Sequence, residues 1–152
     1  MINLSTVSFQ IDIPTDSDGY LSIQCPYCEN KFKVLGNYFE KIDAIEIYCP
    51  ICGLVNEINS FFTKEVIEKA MSIAQNYAED LIYNMFKDIE RKNRGNKFLK
   101  FKTGRKPSHH EPELYETVQN LVNVNKVCCG SDIKVTLLDK WLVPYCIKCG
   151  RK

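Results

Sequence analysis

Long apolar runs are missing from this 152-residue chain. No stretch approaches the roughly twenty apolar residues that a membrane-spanning helix needs. Charge of one sign is also missing: the net charge is +1, so no global field drives the chain onto nucleic acid or a membrane. Histidine is scarce, with only the adjacent pair His109 and His110, best explained as part of a polar, Pro-flanked loop. No Gly-rich phosphate loop, nucleophile elbow or His-Glu-x-x-His signature occurs, which leaves an enzyme reading without residues to stand on. The segment Met1–Tyr20 has no Lys or Arg and no continuous apolar run, so no export signal is expected there. The expectation is a cytoplasmic protein with reduced thiols.

Against these absences stand eight cysteines in two sets of four. Cys25-Pro26-Tyr27-Cys28 and Cys49-Pro50-Ile51-Cys52-Gly53 are Cys-x-x-Cys pairs separated by twenty residues. Two tight turns, each offering two sulfurs, meet the tetrahedral demand of zinc, with Zn–S bonds of about 2.3 Å. Cys128, Cys129, Cys146 and Cys149 form the second set. Four disulfides are the competing reading, disfavoured without an export signal. Thiol–disulfide exchange is disfavoured too, because a redox Cys-x-x-Cys sits at a helix start in a βαβ setting that this pattern lacks. Two zinc ions are therefore the expected cofactors, and a module of about forty residues would rely on metal in place of core.

Alternation predicts the secondary structure around the first set. Val7, Phe9, Ile11 and Ile13 read as a half-buried strand ended by Pro14. Asp16-Ser17-Asp18-Gly19 is a turn; it lacks the later Glu of a calcium loop. Tyr20–Ile23, Lys31–Leu35 and Ala44–Tyr48 are the expected hairpin strands. Gly53, Gly130, Gly150 and Asn30 are the residues expected to accept positive φ after the cysteine turns.

The ends of the chain repeat. Cys28–Val34 aligns with Cys129–Val135, and Tyr48–Gly53 aligns with Tyr145–Gly150 after a connection four residues shorter. In this register Lys126 stands where the first copy has Cys25, and Cys128 stands where it has Tyr27. A four-cysteine site with an altered turn is favoured for the second copy. The alternatives are completion by His109 or His110, or a copy that has lost its metal.

Between the copies, Thr63 to about Arg94 is helical, with Thr63 as N-cap and Glu65 in the first turn. Ile67, Met71, Ala74, Ala78, Leu81 and Met85 recur at alternating steps of four and three, an apolar stripe that needs a partner surface. That surface is either the chain's own body, a second copy, or another protein. From Arg91 to Pro107 there are eight cations and no acid. Arg91, Arg94, Lys97, Lys100, Lys102, Arg105 and Lys106 offer charges for phosphates, with Phe98 and Phe101 available to stack on bases. A solvated linker marked by Gly95, Gly104 and Pro107 is the plainer reading. Residues 113–124 read as a weak short helix or an extended stretch.

Cys25-Pro26-Tyr27-Cys28 with Cys49-Pro50-Ile51-Cys52-Gly53, followed by the Phe62–Asp88 helix, resembles the transcription-factor-B-type zinc ribbons of small bacterial proteins. The resemblance implies fold and metal, and no task, because such ribbons read nucleic acid, dock proteins or simply clip a chain together.

The resulting expectation is an α+β protein with two zinc ribbons joined by a long amphipathic helix and a basic linker. Its segments are an N-terminal hairpin and ribbon (1–62), the helix (63–94), the linker (95–112) and a degenerate ribbon (113–152). Its expected role is a non-catalytic adaptor that docks a protein partner, or itself, through the helix. The runner-up is a nucleic-acid-binding, transcription-related protein, and a weaker alternative is a metal-stabilised domain of a larger system.

Overall fold

The structure, a computed structural model, describes residues 7–37, 45–95, 98, 100–117 and 119–152. Ala44 and Lys97 of the sequence-based expectations lie outside those residues. The fold is α+β. Its elements in chain order are β1 (Tyr20–Gln24), β2 (Lys31–Leu35), β3 (Glu46–Tyr48), β4 (Val55–Glu57), α1 (Lys64–Asn93), β5 (Val122–Lys126), β6 (Ser131–Val135) and α2 (Leu137–Trp141). A single 3-10 turn at Ile58–Phe61 leads towards α1, which starts directly after Thr63. The chain divides into two compact units.

The first unit comprises Asp12–Val66 and Leu114–Lys152, and both four-cysteine sets fall in it. Two hairpins, β1–β2 and β5–β6, join edge to edge into one antiparallel sheet of order β1-β2-β6-β5. Their joint is the β2–β6 pairing, where Lys33 stands opposite Lys134. Those two lysines are equivalent in the sequence repeat, so the join is a local two-fold. The same symmetry governs the other turns. Tyr48 donates its N–H to Ile147 O (3.0 Å), and Tyr145, its counterpart, donates to Pro50 O (2.8 Å). Each tyrosine ring also lies over the glycine that ends the opposite copy's cysteine turn. A Cβ on Gly53 would come within 3.0 Å of the Tyr145 ring, and one on Gly150 within 2.8 Å of the Tyr48 ring. The copies thus grip one another as a dimer would.

The core follows from the alternation. Ile23, Phe32, Val34, Ile47, Phe61, Ile133, Val135 and Ile147 are buried around Cys25 and Cys49, and Phe32 meets Phe61 edge-on at 6.2 Å. Across the two-fold, the ammonium groups of Lys33 and Lys134 converge on Asp16 at 3.3 and 3.0 Å. Glu116 adds a second carboxylate to Lys33 (3.1 Å), and Asp18 adds one to Lys134. Lys33 is 4% exposed, so its charge depends on these partners. The turn read from Asp16-Ser17-Asp18-Gly19 is present, with Asp16 Oδ1 accepting from the N–H of Asp18 and Tyr20. Burial works against ionisation of Asp16, but the Tyr20 N–H, Lys134, the Asp18 N–H and Lys33 outweigh it and hold the carboxyl at about 2.

The second unit comprises the residues up to Ile11 together with Ile67–Glu113. Residues 7–14 form no strand, which corrects the reading of their alternation. Phe9 instead packs edge-on against Tyr77 of α1 at 5.4 Å. The basic and polar segment after α1 is irregular, as its glycines require, yet it folds back antiparallel along the helix. Thr103 N–H donates to Glu90 (3.0 Å), Phe101 stacks on Phe86 (5.7 Å), and Lys106 Nζ and His109 Nε2 reach Asp80 (3.5 and 3.3 Å). Asn76 then donates to His110 O (3.2 Å). The segment is a strap over one face of α1. No helix among the described residues is long and apolar enough to cross a membrane.

Candidate metal centres

The four cysteine turns are built alike. A backbone N–H closes each Cys-x-x-Cys turn onto the first cysteine's carbonyl: Glu29 onto Cys25 (3.0 Å), Gly53 onto Cys49 (2.9 Å) and Gly150 onto Cys146 (2.9 Å). In the altered turn Cys129 N–H bonds Lys126 O (3.3 Å). The residue after the second cysteine takes positive φ in every case: Glu29 (57°), Gly53 (75°), Gly130 (57°) and Gly150 (68°). The three glycines match expectation. In the remaining turn the position belongs to Glu29 and not Asn30, because closing the turn at Cys25 O places the left-handed residue directly after Cys28.

These turns bring the sulfurs of Cys25, Cys28, Cys49 and Cys52 within 4.8 Å of one another, and likewise those of Cys128, Cys129, Cys146 and Cys149. Nearest separations are 3.7 Å for Cys25–Cys52 and Cys28–Cys49, and 3.6 Å for Cys128–Cys149. A disulfide would require about 2.05 Å. A tetrahedron of metal–sulfur bonds near 2.3 Å has an edge of about 3.8 Å, so the donor sets have the size of a four-thiolate metal site. Cys128 supplies the fourth donor of the second set, which removes the need for His109 or His110 there.

Electrostatics distinguish the thiols. Burial pushes Cys25 and Cys49 up. At Cys28 burial is opposed and overcome by the Asn30 N–H and the surrounding thiols, which lower it. The Cys49 sulfur also accepts from the N–H of Ile51 (3.4 Å) and Cys52 (3.5 Å). In the second set, sharing hydrogen bonds with Cys149 and then burial push Cys129 up to about 12. Cys146 goes down to about 6, because the Ser131 hydroxyl and the N–H groups of Cys149 and Lys148 overcome its burial. Four clustered sulfurs cannot all ionise against one another unaided, and a divalent cation at their centre would supply the missing positive charge.

Sequence reasoning missed two supports of the second set. Lys126, in the place of Cys25, is 9% exposed and turns its ammonium to Pro144 O (2.7 Å), tying the altered hairpin to the chain that delivers Cys146. Ser131 Oγ lies 3.5 Å from Cys146 Sγ. The aligned register carried the Lys126 signal, since a lysine replacing a ligand and then buried needs a new acceptor.

The other predicted residues are divided between packing and solvent. Along α1, Ile67, Met71, Ala74, Ala78, Leu81 and Met85 are all exposed, Met71 and Met85 at 67% and 65%. Among the basic residues, Arg91 pairs with Asp88 (3.0 Å) and Lys106 with Asp80, while Phe101 covers Phe86. Arg94, Lys100, Lys102, Arg105 and Phe98 are exposed. Lys87, Asp88, Glu90, Arg91 and Arg94 line a surface cleft of about 380 Å³. Comparison with protein-family models, curated proteins and solved structures finds no match.

Proposed function

We propose that this is a zinc-held binding protein, with no catalytic task at its metals, whose two ribbon-like copies form a rigid body and whose long helix is the docking surface. The observation that carries the proposal is the pair of complete four-sulfur sets. When protein fills all four positions, no site remains for water or substrate, and the metal's contribution is to folding. The transcription-factor-B-type ribbons that the cysteine turns resemble fit that role. The docking part is supported by the apolar stripe of α1, which stays exposed while the strap covers a different face.

Native mass spectrometry and elemental analysis test the reading. Two zinc ions per chain, lost together with the fold on stringent chelation, are expected. A chain free of transition metal that keeps its shape after chelation would overturn it.

Nucleic-acid contact is the second reading, favoured by the cationic end of the helical unit around Lys87, Arg91, Arg94, Lys100 and Lys102. Binding there would weaken steeply with salt, and neutralising Arg91, Arg94, Lys97, Lys100 and Lys102 together would abolish it.

A further inference from the structure

We propose that the exposed stripe of α1 pairs with the same stripe of a second copy, antiparallel, about a two-fold axis level with Asn76. The inference rests on the docking reading above and names its partner.

Three observations select that occupant. First, the exposed residues Ile67, Met71, Ala74, Ala78, Leu81 and Met85 keep a strict four-three spacing, the seam of a helix pair rather than of a helix on a sheet. Second, the seam is palindromic in size. Placed antiparallel, Ile67 faces Met85 of the second copy, Met71 faces Leu81, and Ala74 faces Ala78. Large side chains then fill the outer layers and small ones let the backbones approach in the middle.

Third, the charges at the seam ends choose the direction. Continuing the spacing one step outward reaches Lys64 at one end and Asp88 at the other. Antiparallel pairing sets each Lys64 against an Asp88, whose side chain is 59% exposed and pairs with Arg91 at 3.0 Å on its own helix. Parallel pairing would set Lys64 against Lys64 and Asp88 against Asp88. Along the flanks Ala70, Gln75, Tyr77, Ile82, Asn84 and Ile89 carry no charge, and the charged flank positions, Glu68 and Arg91, lie towards the two ends of the seam. Its large members stay open to solvent, Ile67 at 44%, Met71 at 67%, Leu81 at 47% and Met85 at 65%.

The test is sedimentation equilibrium of the zinc-loaded full chain, from micromolar to roughly millimolar concentration, with circular dichroism and zinc content followed for every variant. The wild type is expected to approach twice 17.6 kDa. Leu81→Glu should weaken the dimer by at least about tenfold with helix and zinc retained. Lys64→Glu and Asp88→Lys should each weaken it by about fivefold, and the double variant should return to within about twofold of wild type. A double variant as weak as either single one overturns the antiparallel arrangement. A wild type that stays monomeric, with its Met71 and Met85 methyl signals still reached by a soluble paramagnetic probe, overturns self-pairing and leaves the docking surface open to another protein. A monomer whose methyls are shielded overturns the docking reading as well.

Discussion

The two four-cysteine sets share a turn design and an expected ligand chemistry, but they differ in what surrounds them. Cys25 and Cys49 are buried in the hydrophobic core, beside Ile23, Phe32 and Ile47. In the second set only Cys146 is buried, and Cys128 is exposed. A metal site inside a core shares its stability with every apolar contact around it. One at a hairpin tip mostly secures its own turn. The duplicated sequence therefore places one cysteine set within the core and the other with freer access to solvent, a difference that the shared turn pattern conceals.

The sharpest test of that difference is to remove one sulfur from each set. Cys49→Ser should unfold the two-ribbon body, since structural zinc contributes about 10–16 kcal/mol in such modules. Cys128→Ser should leave a cooperative fold that retains one zinc. Thermal melts with metal analysis read both results. Equal losses would erase the distinction between core-held and tip-held centres.

The join between the copies comes next in size. Asp16→Asn removes the carboxylate shared by Lys33 and Lys134 and should cost about 2–3 kcal/mol in denaturant unfolding, because Lys33 stays buried with Glu116 as its remaining partner. The pH dependence has a definite sign. The Asp16 carboxyl lies at about 2 when folded, against an ordinary 3.8. Its contribution is complete above about pH 4 and disappears as the pH falls through about 2. Acid unfolding of the Asn variant should lack that component.

Smaller effects probe the two-fold itself. Gly53→Ala and Gly150→Ala should each cost about 2 kcal/mol, since both combine positive φ with a Cβ driven into a tyrosine ring of the opposite copy. Gly130→Ala has the same φ problem in open space and should cost about 1 kcal/mol. Smallest is Glu29→Gly, which relieves a left-handed glutamate and should be neutral or stabilising by up to about 1 kcal/mol. A clear loss from Glu29→Gly would mean that the first copy uses this side chain in a way that the turn geometry does not explain.

Local chemistry was readable from residues alone wherever spacing dictates geometry. Cysteine pairs at i, i+3 specify a turn that aims two sulfurs one way, and steps of four and three specify a helix stripe. The repeat likewise announced two similar hairpins and exposed Lys126 as the replaced ligand. Alternation in 7–13 misled, because period two shows only that a segment could pair. Those residues take no place in the sheet, and Phe9 packs on an aromatic partner on α1 instead. Nothing local could reveal that β2 would pair with β6 across about a hundred residues, that Asp16 would hold a lysine from each copy, or that the basic segment would lie along the helix it follows. Those are long-range matches of edges, charges and rings. They depend on which surfaces remain unsatisfied once each hairpin and helix has formed, and only the assembled chain determines that.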